Sequence, residues 1–394
     1  MGNPQVEDEL QQVDDAGLAM GFVRLLGLLS DPLRRAGKMK MEPVMGGVDV
    51  YDAEEVNSAQ PKSFPEHLIV MVNGIIGSAG DWKYAAERFV DRFPDKVIVH
   101  RSECNYSTLT FDGVDLMGER LAKEVLSVVS HRPGVQKISF VAHSLGGLVA
   151  RYAIGKLHEP LSSGESTDFA AGALTTDGNV ERIAGLKPMN FITFATPHLG
   201  SRGRKQLPLL CGVPFLERSA SQTAHLVAGR TGTHLFLTDE DDGKPPLLLQ
   251  MVGDSQDLRF RSALSSFQRR VAYSNANYDY MVGWSTSSIR RPHELPKDDL
   301  FVRDERYPHI VCVDRGDAGG THEGVAASDG DPRELDLEEE MLRGLTRVPW
   351  ERVDVSFHGS TQRYVAHSTI QVKSYWINSD GADVILHMMD NFLV

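Results

Sequence analysis

Short continuous blocks of apolar residues alternate along this 394-residue chain with stretches in which apolar residues recur every third or fourth position. The first pattern predicts strands buried on both faces and the second predicts amphipathic helices. The predicted strands are 67–72, 96–100, 137–141, 190–196, 270–275 and 352–357, and the predicted helices are 81–93, 114–128, 145–157 and 383–393. Because strands and helices alternate, the fold class is α/β, with a mostly parallel central sheet flanked by helices.

Two kinds of segment lie outside this alternation. Apolar residues between Leu18 and Leu29 share one helical face, so residues 1–46 are predicted to be an N-terminal amphipathic extension that packs on the core or, less favoured, meets a membrane surface. The main domain is predicted over 47–394. Within that domain, we expect lid-like or loop insertions at three segments, 159–188, 203–267 and 291–345, of which the first and third are rich in polar residues and predict mobile loops.

Composition narrows the functional classes. A hydrophobic content of 41% and a charged content of 24% are typical of a globular protein, and a net charge of -13 disfavours a nucleic-acid partner. Cys104, Cys211 and Cys312 show no paired spacing, which predicts free thiols and a cytoplasmic location. The polar first residues predict no secretory signal, and the longest apolar stretch is too short for a transmembrane segment.

The strongest chemical signal is Ala142-His143-Ser144-Leu145-Gly146, between a predicted strand and a predicted helix. In a nucleophile elbow, a serine occupies a sharp strand-to-helix turn, and small residues two positions away on either side prevent a collision. Ala142 and Gly146 meet this requirement, so Ser144 is the predicted nucleophile. The backbone N–H of Leu145, at the start of the helix, is predicted to stabilise an oxyanion.

A serine hydroxyl needs a base that is oriented by an acid, and in this arrangement the acid and then the base follow the serine along the chain. Asp279 lies just beyond the predicted strand 270–275 and is the favoured acid, with Asp254 as an alternative. Three histidines lie late enough to be the base. His367 is favoured for its loop position, His358 is the second choice, and His387 is predicted to be structural.

The second oxyanion donor is expected in the loop after the first buried strand. Asn73-Gly74-Ile75-Ile76-Gly77 occupies this place, and the N–H of Ile75 is the candidate. No HExxH, paired CxxC or glycine-rich phosphate loop occurs in the sequence, so neither a cofactor nor a metal is expected. His309 and His322 are interpreted as surface residues.

Three motifs together resemble a known family. Residues 70–78, 140–152 and 194–200 are similar to the serine esterase or lipase-like family of plants and fungi, within the α/β-hydrolases, and the resemblance covers about residues 47 to 394. It implies Ser144 as nucleophile, Asp279 as acid and His367 as base, with ester hydrolysis on acyl lipids. Lipase-like relatives usually have His-Gly where this chain has Asn73-Gly74, which bears on the geometry of the oxyanion loop.

The sequence therefore predicts a serine carboxylic-ester hydrolase that acts on an acyl lipid or a small ester, with possible peripheral contact with a membrane or lipid surface. Apolar clusters within 203–267 motivate the lipid substrate, because a lid needs an apolar underside; the alternative is that these leucines belong to the core. Two other functions stay open, namely an acyltransferase with the same triad and a non-catalytic binding protein with the same fold.

Overall fold

A mostly parallel sheet forms the centre of the protein in a computed structural model that describes residues 50–51, 65–160, 181–201, 229–240, 243–302, 304–316 and 332–394. Within these residues the strands are β1 (Val50–Tyr51), β2 (His67–Val72), β3 (Val97–Arg101), β4 (Lys137–His143), β5 (His158–Glu159), β6 (Arg182–Ile183), β7 (Lys187–Phe194), β8 (Arg269–Asn275), β9 (Ile310–Asp314) and β10 (Glu351–Val355). The main sheet has the order β1-β3-β2-β4-β7-β8-β10-β9, and β5 pairs with β6 separately. The inner strands are parallel, whereas β1 and β9 are antiparallel edges.

Helices cover both faces of this sheet. Those with both ends described are α1 (Lys83–Arg92), α2 (Val114–Ser130), α3 (Leu145–Leu157), α4 (Leu247–Gln250), α5 (Phe260–Ser266), α6 (Trp284–Ser288), α7 (Pro332–Leu345), α8 (Ala366–Thr369), α9 (Tyr375–Asn378) and α10 (Ala382–Asp390). Alternate residues of β2 point into two apolar clusters, one with α2, α3 and α5 and the other with α1 and α10. Burial on both faces explains why β2 is a continuous apolar run.

The predicted fold class is confirmed, because the parallel sheet, the flanking helices and the strand-to-helix turn after β4 form the α/β-hydrolase fold. The helix predicted over 145–157 and the strand over 67–72 match to the residue. The segment 291–345, which we expect to be an insertion, contains β9 and α7 among its described residues. β9 is a short antiparallel edge strand whose apolar run, residues 310–313, is only four residues long. Ile310 and Val311 are buried, but Val313 is exposed.

The described part of the segment 203–267 packs into the core. Leu237 and Leu248 are buried in the cluster that contains α3, and so are Phe260 and Leu264 of α5. The apolar residues near 237 and 248 therefore belong to the core and do not form the underside of a lid. The cluster at 207–216 lies outside the described residues, as do the N-terminal extension 1–46, Cys211 and His322.

Three further predictions can be compared with the described residues. Cys104 and Cys312 are free thiols. His309 is not a plain surface residue, because its side chain is half-buried and its Nδ1 lies 2.9 Å from Asp383 Oδ1. Within the described part of the chain, no helix combines the length and the apolar character needed to cross a membrane.

Candidate active site

Ser144 occupies a strained turn between β4 and α3. Its φ of 53° and ψ of -130° are unusual for a residue with a side chain, and its N–H donates to the carbonyl of Phe194 at 2.8 Å. The sheet therefore holds the backbone of Ser144 from the neighbouring strand β7. This is the geometry that the five-residue motif predicts, with the serine at the carboxyl edge of a central strand.

The close approach of the oxyanion loop explains why small residues flank this serine. A Cβ at Gly146 would lie 2.5 Å from the carbonyl oxygen of Asn73 and 2.6 Å from that of Val72. A Cβ at Gly74 would lie 2.8 Å from the Cβ of Ser144. The end of β2 and the loop after it are thus packed directly against the elbow.

His367 and Asp279 complete a chain of hydrogen-bonding groups with Ser144. The Nε2 of His367 lies 3.0 Å from Ser144 Oγ, and its Nδ1 lies 3.0 Å from Asp279 Oδ2. A carboxylate accepts only, so Nδ1 carries the proton of the neutral ring and Nε2 accepts from the serine hydroxyl. This tautomer can remove a proton from Ser144.

Asp279 is held as a carboxylate by several donors. Asn275 Nδ2 donates to Oδ2 at 2.8 Å, and the N–H groups of Met281 and Val282 donate to Oδ1 at 3.0 and 2.9 Å. Burial acts to raise the pKa of this carboxyl, but the charge and hydrogen bond of His367 and these other donors outweigh burial and lower it. The carboxylate is therefore ionised throughout the neutral range. The supporting residue Asn275 was not predicted from the sequence.

His143, which precedes the serine, contacts His367 in two ways. Its Nε2 donates to the main-chain carbonyl of His367 at 2.7 Å, and the two rings lie 4.6 Å apart between centroids. Burial, followed by the proximity of His367, places the pKa of His143 well below its usual value. His143 is thus a neutral donor that fixes the backbone of His367, a role the sequence motif did not indicate.

The alternatives raised by the sequence lie in other environments. Asp254 accepts from the N–H and the hydroxyl of Ser262 in α5. His358 is exposed and lies 3.4 Å from the hydroxyl of Tyr278. His387 lies 2.9 Å from the hydroxyl of Tyr273. Among the described residues, none of these three side chains forms a hydrogen bond with Ser144, whereas His367 does so directly and Asp279 is joined to it through His367.

The two predicted oxyanion donors form no hydrogen bond with the described part of the chain. The N–H groups of Ile75 and Leu145 have no hydrogen-bond acceptor there, whereas the next residue in the loop, Ile76, donates to Thr110 Oγ1 at 2.9 Å. Leu145 is the first residue of α3, so its N–H also benefits from the positive end of the helix. Two N–H groups without an internal acceptor, one on the elbow and one on the loop packed against it, are available to donate to an oxyanion.

Asn73 stabilises this loop through its side chain. Its buried Nδ2 donates to the carbonyl of Gly74 at 3.1 Å and to that of Asn105 at 2.9 Å. Asn105 in turn donates from Nδ2 to the carbonyl of Met117 in α2. The asparagine therefore ties the oxyanion loop to the following loop and to α2.

More than half of this chain is similar in sequence to known proteins. The family described as "Putative serine esterase (DUF676)" matches residues 62–289, more than half of the chain. "Putative lipase C4A8.10" of Schizosaccharomyces pombe is 30% identical over 233 residues, which cover 57% of this chain and 26% of that protein. "Putative lipase ROG1" of Saccharomyces cerevisiae is 28% identical over 228 residues, 57% of this chain and 28% of that protein. The match thus spans about a quarter of the length of these relatives.

The solved structures to which the chain is similar include an esterase and a lipase. The native esterase Est2 of Thermogutta terrifontis is 13% identical, with a TM-score of 0.34 over 88% of each chain. The mature lipase BlEst2 of Bacillus licheniformis is 14% identical, with a TM-score of 0.29 over 58% of this chain and 72% of that chain. The family match contains the elbow and Asp279. The resemblance predicted from the motifs is confirmed, and the chain belongs to this serine esterase family.

Proposed function

We propose that the protein is a serine carboxylic-ester hydrolase with Ser144 as nucleophile, His367 as base and Asp279 as the acid that orients the base. The observation that carries this proposal is the continuous path from Ser144 Oγ through His367 to Asp279, with both distances at 3.0 Å. The strained φ of Ser144 adds support, because such strain is typical of functional positions.

The mechanism has two stages. In the first, Ser144 Oγ bonds to the acyl carbon as its proton passes to His367 Nε2, and the N–H groups of Ile75 and Leu145 hold the oxyanion. The intermediate then expels the alcohol, which takes the proton from the imidazolium, and leaves an acyl-serine. In the second stage, water gives a proton to Nε2 and attacks the acyl carbon. The carboxylic acid leaves, and Ser144 recovers its proton.

We further propose acyl lipids as the substrate class and the cytoplasm as the location. The naming of curated relatives as lipases supports the first. The unpaired thiols of Cys104 and Cys312 support a reducing compartment.

The test is a panel of esters with short and long acyl chains, assayed on the wild type beside Ser144→Ala, Asp279→Asn and His367→Ala. Loss of any triad member is expected to lower kcat by about ten-thousand-fold or more. A fluorophosphonate probe should label the wild type and not Ser144→Ala. Full activity in Ser144→Ala would overturn the mechanism, and failure of the folded wild type to label would point to a non-catalytic fold. Product analysis with an added alcohol acceptor separates hydrolysis from acyl transfer.

A further inference from the structure

Large apolar side chains are exposed on both sides of His367 in the sequence. Trp376 is 94% exposed, Tyr364 63% and Ile377 60%, and Val365 and Tyr375 are also exposed. We call these five residues the 364–377 surface. A single exposed apolar residue needs no explanation, but several within one short segment indicate an interaction site.

The two parts of the 364–377 surface lie side by side. The turn at Thr361–Val365 contacts α9, and Gln362 Nε2 donates to Ser379 Oγ at 2.9 Å while Asp380 N–H donates to Gln362 Oε1 at 3.0 Å. Tyr375 stacks on Tyr84 of α1 at 5.1 Å between ring centroids. The exposed residues therefore form one patch that other elements hold in place.

The helix α9 has its polar residue inside and its apolar residues outside. Asn378 is 3% exposed, and its Nδ2 donates to Thr369 Oγ1 of α8 at 3.0 Å. Trp376 and Ile377, two residues and one residue earlier, face the solvent. A water-facing helix normally has the opposite arrangement. Because α8 also carries His367, this inverted helix is attached directly to the candidate active site.

Other loops of the site also present an apolar residue. Ile76 is exposed and adjoins the oxyanion candidate Ile75, and Tyr280 is exposed and adjoins Asp279. Neighbouring Cα atoms are about 3.8 Å apart, so these residues border the same site as His367. Exposed apolar residues therefore lie next to three of the candidate site residues, Ile75, Asp279 and His367.

The charge of this region differs from that of the whole chain. The sequence has 54 acidic residues and a net charge of -13, yet no Asp or Glu occurs between Asp354 and Asp380. This stretch contains two cations, Arg363, which lies over the ring of Tyr364, and Lys373, which pairs with Asp81 at 3.1 Å. Because Asp81 neutralises Lys373, Arg363 is the cation of this stretch that has no acidic partner among the described residues. An apolar and aromatic patch with an adjacent guanidinium complements the phosphate groups and acyl region of a phospholipid surface.

We propose that the 364–377 surface docks the protein on a phospholipid bilayer, with Trp376 and Ile377 inserted at the interface and Arg363 near the lipid phosphates. This inference rests on the proposed function, since docking here would bring an acyl lipid to Ser144. Tryptophan and tyrosine are the residues that prefer such an interface.

The test measures binding without catalysis, so that its failure is separate from failure of the hydrolase proposal. The full chain with Ser144→Ala is sedimented with phosphatidylcholine vesicles, alone and with phosphatidylserine added. We expect binding to pure phosphatidylcholine that is largely retained at high salt, because insertion of apolar side chains is not screened. The double variant Trp376→Ser, Ile377→Ser should bind about tenfold or more weakly. Thermal unfolding checks that it folds.

Leu126→Ser is the matched control, because Leu126 is an exposed apolar residue of α2, 51% exposed, outside the surface; it should bind like the parent. Tryptophan emission gives a second readout, since Trp82 and Trp350 are buried, Trp284 is half-buried and bonded to Asp354, and Trp376 is almost fully exposed. Vesicles should shift the emission to the blue in the parent and not in Trp376→Phe. Absence of vesicle binding by the parent, or equal binding by the double variant and Leu126→Ser, would overturn the proposal. So would self-association that depends on Trp376 without vesicle binding.

Discussion

At the scale of single residues, the candidate site depends on which group holds which proton. Asp279 is surrounded by donors from Asn275, Met281, Val282 and His367. The neutral His143 supplies a further donor to the main chain of His367. The donors around Asp279 keep its carboxylate ionised and fixed in orientation, and His143 fixes the backbone of His367. The Nδ1 of His367 therefore donates to Asp279, and its Nε2 accepts from Ser144.

Asp279→Asn should therefore preserve the shape of the site but change which nitrogen of His367 carries the proton. The amide can donate toward Nδ1, which favours the tautomer whose Nε2 bears the proton, and kcat for ester hydrolysis should fall by about ten-thousand-fold. Asp254→Asn is the control and should keep kcat near the wild-type value. A loss of similar size in both variants would contradict the assignment of Asp279.

The same carboxylate gives a pH dependence to stability. The folded pKa of Asp279 is lowered, so its contribution is complete above the unfolded pKa of about 4 and is lost as the pH falls through the lower, folded value. The difference in free energy of unfolding between wild type and Asp279→Asn should accordingly be constant above about pH 5 and shrink below pH 4. Urea unfolding at several pH values measures this difference, and a difference that grows on acidification would contradict it.

At the scale of elements, the elbow depends on contact between two backbones. The first turn of α3 lies against the carbonyls of Val72 and Asn73, where a side chain at Gly146 would meet main-chain oxygens at 2.5 and 2.6 Å. Main chain in a sheet cannot move as cheaply as a flexible side chain. Gly146→Ala should therefore cost about 1 to 3 kcal/mol of stability and lower kcat about tenfold or more by shifting the oxyanion loop.

Gly253→Ala is the matched control for that substitution. A Cβ at Gly253 meets nothing within 4 Å, so its stability should change by less than about 0.5 kcal/mol. Chemical denaturation and ester kinetics on both variants test the contrast. Equal stability and kcat in Gly146→Ala and the wild type would show that the elbow and the oxyanion loop are not tightly coupled.

The sequence predicted best those elements whose burial leaves a clear pattern of apolar residues. β2 and α3 are buried on almost every side, so their apolar character is continuous and their bounds are clear. β9 was missed because it is a short edge strand with partly exposed side chains. Asp279 and His367 could be selected from chain order, whereas Asn275 and the contact of His143 with His367 depend on long-range packing that no local pattern encodes.

At the scale of the whole molecule, buried neutral histidines link stability to pH. Among the histidines that the structure describes, burial is the largest cause that lowers the pKa of five, namely His67, His143, His198, His234 and His387. The unfolded chain binds protons at these positions below about pH 6.5, whereas the folded protein resists them. Their contribution to stability is therefore present above pH 6.5 and is lost as the pH falls.

His67 allows this relation to be tested at one position. Ser139 Oγ accepts from Asn190 N–H at 3.0 Å and from its Nδ2 at 2.9 Å, so its hydroxyl proton points to His67 Nε2 at 2.8 Å. If that nitrogen were protonated, its N–H and the hydroxyl of Ser139 would both be donors and could not form a hydrogen bond. Burial and then Lys137 lower the pKa of His67 to about 3. Between pH 7.5 and pH 5 this residue should account for about 2 kcal/mol of lost stability.

His67→Gln should reduce the loss of stability between pH 7.5 and pH 5 by about that 2 kcal/mol, because a glutamine oxygen can accept from Ser139 without titrating. The free energy of unfolding in urea, measured at both pH values, gives the comparison. If His67→Gln and the wild type lose stability equally on acidification, His67 is not excluded from protonation in the folded state, and the acid sensitivity arises from other groups.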